Sequence, residues 1–250
     1  MSAIYILWLR EVKRYLRSPM QMIGSLGQPM LYLLVLGFGL GPVFARAGNG
    51  SYFQFVAPGV IGMSVLFTAI FSGIGIIWDR QFGFLKETLV APVPRIAIMA
   101  GRTLGGSTIA IFQGLLVTTV CVIAGFRPAH FYDIPVALSF MILIAILFSG
   151  VGVAIGSSLQ DMQAFPIIMN FLVMPIFFLS GALFPLKDQG HASVLKIIAS
   201  LDPLTYGIDG MRAGLLGSSV FGILTDLVVM VALALVLQTF GAYRFSKIEI

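Results

Sequence analysis

The chain has 250 residues, 58% of them hydrophobic and only 10% charged, with a mean hydropathy of +1.01. A soluble domain carries about 25% charged residues, so this composition belongs to a protein whose solvent is a bilayer. The formal net charge of +5 is scattered over separate polar segments, which argues against a nucleic-acid binder, and the single cysteine, Cys121, excludes an internal disulfide.

In chain order, residues 3–17 predict a short amphipathic helix with Arg10, Lys13, Arg14 and Arg17 on one face and Trp8, Val12 and Tyr15 on another. Such a helix suits the anionic surface of a membrane. The same pattern also serves as a positively charged lead into a first span. The run MSAIYILWL precedes these charges and no small-residue cleavage site follows, so no cleavable signal peptide is expected.

A spanning helix needs about 20 largely apolar residues. Charge-free stretches run from Ser18 to Ala45, Ala47 to Trp78, Thr103 to Phe126, Ile134 to Gln160 and Met162 to Leu186, with a shorter one from Leu227 to Tyr243. They predict an all-α, polytopic integral membrane protein: one transmembrane domain over 1–250 with six transmembrane helices, at about 21–42, 55–78, 103–125, 135–157, 164–183 and 222–242. Internal prolines (Pro29, Pro58, Pro166, Pro175) are compatible with this, because neighbouring helices satisfy the freed backbone groups. Six spans put both termini on one side. With the N-terminus cytoplasmic, ten Lys and Arg face inward and five outward, so the positive-inside rule places both termini in the cytoplasm of a cell (inner) membrane.

The polar segments are sparing in chemistry. Asp79, Asp133, Asp161 and Asp226 all fall at span ends, so no ionisable group is expected at mid-span depth, which counts against a stand-alone secondary transporter or channel. No nucleophile–base pair or Cys/His cluster converges, so no catalytic residue and no metal site is assigned, and His130 and His191 read as solvated loop residues. This also counts against a membrane-embedded enzyme or assembly factor. No Walker A pattern occurs, and the glycines at 150, 152 and 156 miss the dinucleotide-binding spacing. Gly152 and Gly156 form a G-x-x-x-G, as do Gly37/Gly41 and Gly101/Gly105; in so glycine-rich a chain the pattern recurs by chance.

The segment 79–98 is longer and more aromatic than a plain connection requires. Residues 82–90 predict about two helical turns, with Phe82, Leu85 and Leu89 on one face, Lys86 and Glu87 turned away, and Pro92 and Pro94 ending the helix. An apolar ridge flanked by charge suits docking into a groove on a partner protein; it also suits lying on lipid headgroups. Residues 184–221 hold two apolar runs too short to span, VLKIIASL and GMRAGLLG, which read as external re-entrant or surface half-helices before the last span. Arg212 lies inside the second run and needs a partner: Asp209, Asp202 or a lipid phosphate.

Three blocks carry a resemblance to a known family. The stretch DRQFGFLKETLVAPVPR (79–95) resembles the first cytoplasmic loop of the membrane (permease) subunits of type-2 ABC exporters, which typically reads acidic-Arg-Glu-x-Gly-Thr-Leu-Glu and then proline. Gln81 stands where that loop commonly has an acid, and Phe84 where it has a small polar residue. FFLSGALFPL (177–186) and DPLTYGIDGMRAGLLG (202–217) are similar to the end of the family's fifth span and to its Pro-x-x-Tyr-x-x-(Asp/Glu)-x-x-Arg element. The blocks follow the family's order over the whole chain. Drug-resistance, nodulation-type and polysaccharide-export permeases share this plan.

The resemblance implies a half-transporter that is not an enzyme and carries no cofactor of its own. Its partners would be a separate cytoplasmic ATP-binding cassette subunit, which binds ATP and Mg, a second copy of the chain, and membrane lipid. Asp79, Arg80, Phe82, Phe84, Leu85, Lys86, Glu87 and Leu89 would couple to the ATPase. Gly181, Pro185, Pro203, Tyr206, Asp209 and Arg212 would form an external gate. The cargo implied is an amphiphilic drug, a lipid or a lipid-linked glycan. An adjacent gene encoding an ATPase with Walker motifs separates this reading from a lone transporter, channel or enzyme.

Overall fold

The computed structural model describes residues 3–46, 51–84, 88, 90, 92–159, 161–186 and 192–246, and all the regular structure among them is helical. Helix α1 spans Ala3–Leu16, α2 Pro19–Gly39, α3 Gly41–Arg46, α4 Tyr52–Phe71, α5 Ile74–Gln81 and α6 Arg95–Ile123. After a 3-10 turn at Phe131–Asp133 come α7 (Ile134–Ser158), α8 (Ala164–Ile168), a π turn at Met169–Val173, α9 (Met174–Leu179), α10 (Ala192–Ser200), α11 (Pro203–Leu216) and α12 (Ile223–Ser246).

Among the described residues five stretches are long and apolar enough to cross a membrane: Pro19–Gly39, Tyr52–Gln81, Arg95–Ile123, Phe131–Ser158 and Ile223–Tyr243. The shortest have 21 residues, about 32 Å at 1.5 Å per residue, enough for a hydrocarbon core of about 30 Å. The apolar run Ala164–Leu179, within the predicted span 164–183, is shorter than these. Its helix is interrupted because Pro175 has no N–H to close a regular turn, and the backbone widens into the π turn just before it. Asn170 Nδ2 donates to the Pro166 carbonyl at 3.1 Å, taking up one acceptor in this stretch.

Helix α4 is apolar all round, and every residue from Val56 to Leu66 is buried. It packs against α2, α6, α7 and α11. Lipid is as apolar as leucine, so association between such helices rests on close fit. Glycines supply it. A Cβ on Gly152 would lie 2.6 Å from the Ile70 carbonyl oxygen, and one on Gly156 would strike the Gly73 carbonyl at the α4–α5 junction. The G-x-x-x-G at 152/156 is therefore a real contact of α7 with the α4–α5 break.

A second glycine series seats α11 on α7. A Cβ on Gly207 would lie 2.5 Å from Ile144 Cγ1, and one on Gly214 would lie 2.5 Å from the Ala137 nitrogen. α11 thus runs antiparallel to α7. Gly207 is level with Ile144, which stands ten residues after the start of α7, about 15 Å along the axis. Asp202, the N-cap of α11, lies deeper by about a turn; its buried carboxylate accepts from Leu204 N at 2.9 Å. The expectation that no ionisable group reaches such depth fails here, because a segment too short to span carries Asp202 inward. Asp226, near the start of α12, is fully buried as well.

Candidate functional site

The densest polar assembly among the described residues joins α1, α5 and the start of α6. Leu7, Glu11 and Tyr15 repeat every four residues and form the buried face of α1, which packs along α6. Two glycines of α6 receive that face: a Cβ on Gly101 would lie 2.9 Å from Leu7 Cβ, and one on Gly105 would lie 2.7 Å from Glu11 Cβ. Trp8 Nε1 donates to Thr108 Oγ1 at 2.9 Å, and the buried Tyr15 hydroxyl donates to Gln113 Oε1 at 2.6 Å. Burial raises the Tyr15 phenol above its ordinary range. The pair at Gly101/Gly105 is thus the groove for α1.

This docking carries Glu11 into a cluster of charge. Arg102 of α6, 4% exposed, donates from one guanidinium nitrogen to Glu11 Oε1 at 2.7 Å and from the other to Asp79 Oδ2 of α5. Arg10 also donates to Asp79, and Arg14 donates to Glu11 Oε2 at 2.5 Å. Burial alone would lower the Arg10 pKa, but the adjacent Asp79 carboxylate outweighs it and the net shift is upward. Three guanidiniums therefore face two carboxylates, leaving one positive charge in excess. Buried ions placed this way repay their desolvation only as a complete set, so the cluster locks the three helices in one register.

The predicted coupling residues separate into two groups. Asp79 and Arg80 turn inward. Asp79 is held by Arg10 and Arg102, and Arg80 donates to the Leu159 and Ser157 carbonyls at the end of α7, at 2.5 Å and 2.9 Å. They brace the foot of the bundle. Phe82 and Phe84 point outward, 66% and 53% exposed, and Phe82 lies against the half-exposed Trp78. Gly83, at φ +83°, follows the α5 C-cap at Phe82, so Phe82 does not begin a new helix at 82 as predicted. Leu85, Lys86, Glu87 and Leu89 lie outside the described residues.

At the opposite end, Arg212 finds a partner that the sequence reading did not name. It is buried, donates to the Gly181 and Ala182 carbonyls at 2.8 Å and 3.1 Å, and lies over the Phe55 ring at 4.1 Å. Tyr52 donates to the next carbonyl, Leu183, at 2.7 Å. The turn after α9 is thereby pinned to α4 and α11, with Gly181 at φ +69°. Asp209 accepts from Ser219 Oγ, Val220 N and Phe221 N at 3.0, 2.7 and 2.9 Å and so fixes the link from α11 to α12. Tyr206 stacks near Phe221 and donates to the Ser200 carbonyl at 2.8 Å. Pro203 opens α11, and Pro185 is exposed. The structure thus joins Gly181 to Arg212 directly, while Tyr206 and Asp209 serve the neighbouring link.

Glu11 and Arg102 were not singled out from the sequence. A signal existed for the first: Glu11 is the one acid before Asp79, set among four basic residues. For Arg102 there was none, since a single arginine at the edge of a span reads as an interfacial anchor.

The chain matches the ABC-2 type transporter family over residues 2–216. Inner membrane transport permease YadH of Escherichia coli (strain K12) is 29% identical over 232 residues, covering 92% of this chain and 89% of that protein. Putative transport permease ycf38 of Pyropia yezoensis is 29% identical over 256 residues, covering 96% of this chain and 86% of its own. Nodulation protein J of Rhizobium leguminosarum bv. viciae is 27% identical over 216 residues, covering 85% and 82%. With its five apolar helices, this chain is a multi-pass membrane transport permease and belongs to the ABC-2 type transporter family.

Proposed function

We propose that this permease is the membrane half of an ATP-driven exporter, moving an amphiphilic drug, lipid or lipid-linked glycan out of the cytoplasm. A separate ATP-binding cassette subunit binds ATP and Mg and docks at the end of the bundle that carries α1 and α5. That end faces the cytoplasm of the inner membrane, as do both termini. The run Ala164–Leu179 with the turn after it completes a sixth crossing, and two copies of the chain form the pathway. The turn held by Arg212 closes its outer end.

One observation carries the reading. Exposed Trp78, Phe82 and Phe84 flank Asp79 and Arg80 in the chain, and these belong to a buried ionic cluster that ties α1 and α5 to α6 and, through Arg80, to α7. A push on the aromatics reaches three long helices through charge pairs that stay together.

The test is reconstitution with the ATP-binding cassette subunit in inverted vesicles, following labelled amphiphile and ATP hydrolysis together. ATP-dependent uptake that stops when the ATPase is omitted is expected. Uptake by this chain alone, driven by an ion gradient, would instead make it a stand-alone secondary transporter or channel.

A further inference from the structure

A cavity of about 440 Å³ opens between α1, α2, α4 and α6, on the same end of the bundle as the ionic cluster. Its size falls in the range of small-molecule sites, about 300–1,000 Å³. Two stripes of α4 and its C-cap, each repeating every four residues, form one wall: Met63, Phe67 and Phe71, and beside them Ser64, Thr68 and the C-cap Ser72. A bundle wall facing only other helices has no need of a hydroxyl stripe. Ser64 is 2% exposed, and its Oγ has no hydrogen-bond partner among the described residues.

Charge enters from α1. Of the three guanidiniums in the cluster, Arg14 lines the cavity and has the most exposed side chain, at 51%. Arg102 is enclosed between Glu11 and Asp79, and Arg10 is engaged by Asp79. Arg14 shares the cavity wall with its partner Glu11, and because the cluster holds three guanidiniums against two carboxylates its net charge beside the cavity is positive. The guanidinium has its place there because Gly75 has no side chain: a Cβ would lie 2.6 Å from an Arg14 nitrogen.

We propose that this cavity binds a single-tailed anionic amphiphile. Its head bonds to Arg14 and to Ser72 at the near end of the hydroxyl stripe, and its one tail lies along Met63, Phe67 and Phe71, where one apolar stripe provides for one chain. This rests on the permease reading above and narrows its cargo class. The cavity is on the side from which that reading has cargo enter.

The test uses the purified permease in neutral micelles without its ATPase, read by native mass spectrometry. Dodecyl phosphate is the probe, with dodecyl maltoside, dilauroyl phosphatidate and inorganic phosphate as comparisons. Dodecyl phosphate is expected to bind one per chain and on the order of tenfold more tightly than the neutral amphiphile, and inorganic phosphate not at all. Arg14→Gln should abolish that preference. Gly24→Leu should block binding while keeping the fold, because Gly24 lines the cavity, a Cβ there meets nothing within 4 Å, and leucine favours helix. Equal binding of the charged and neutral amphiphiles, or undiminished binding in Gly24→Leu, overturns the proposal. Equally tight binding of inorganic phosphate or of the two-chain phosphatidate overturns the single-tailed assignment. Binding is read without nucleotide, so these results stand apart from any failure of ATP-driven transport.

Discussion

Substituting Arg102→Met removes the residue that bridges both carboxylates of the ionic cluster while keeping much of its apolar bulk. Glu11 and Asp79 are 5% and 7% exposed, so neither is rescued by water. Removing one partner of a buried ion pair costs about 3–5 kcal/mol. Arg14 stays on Glu11 and Arg10 on Asp79, and these side chains are 51% and 37% exposed. They should hold the loss near the lower limit, about 3 kcal/mol. That loss falls on the docking of α1 against α5 and α6. At a factor of ten per 1.4 kcal/mol, the amides of α1 should exchange with deuterium about 100-fold faster in the variant. A further variant separates charge from packing. Arg102→Lys restores the third cation without the fork that bridges both carboxylates, and α1 protection should return to within about tenfold of the wild type. Unchanged exchange in Arg102→Met, or no recovery in Arg102→Lys, would refute the reasoning.

Gly105→Leu should undock α1 by shape alone, since its Cβ would lie 2.7 Å from Glu11 Cβ, at a cost of about 1–3 kcal/mol seen in the same exchange experiment. Arg212→Lys should loosen the turn at Gly181–Ala182, because an ammonium lacks the planar face that lies over Phe55 while one guanidinium nitrogen bonds both carbonyls; a cysteine placed at Leu183 should then label several-fold faster from outside. Phe84→Ala should weaken binding of the ATP-binding cassette subunit by about 2 kcal/mol, the usual cost of removing a central aromatic anchor, as measured by titration in nanodiscs. Arg80→Gln should leave that binding intact and lower the cargo moved per ATP hydrolysed, because it cuts the tie between α5 and the end of α7.

The long helices were legible because hydropathy over about 20 residues is a bulk property that neighbours scarcely alter. The break at Met169–Val173 was less so: prolines in membrane helices are common, and which one opens a π turn depends on the surrounding packing. Small-residue pairs read as chance turned out to be seats. Gly101 and Gly105 hold α1, Gly152 and Gly156 hold the α4–α5 junction, and only the facing element distinguishes such a pair from an idle one. Charge misled most. Arg10, Arg14, Arg80 and Arg102 all count toward the cytoplasmic excess, yet each is tied to a carboxylate or a carbonyl at the foot of the bundle. Sequence distance concealed those ties, since Glu11 and Arg102 are 91 positions apart. The depth of Asp202 was not legible, because the half-helix that carries it inward is too short to register as a span.

The central claim is that the aromatics at the foot of α5 receive the motor subunit. A photo-crosslinking amino acid at Phe84, activated in living cells and analysed by mass spectrometry, tests it directly. The expected product is a one-to-one adduct with a protein that bears a Walker A motif, formed in the wild-type background and lost when Phe82→Ala is added. Adducts with lipid alone, or an ATPase adduct that forms equally well in the Phe82→Ala background, would contradict the account.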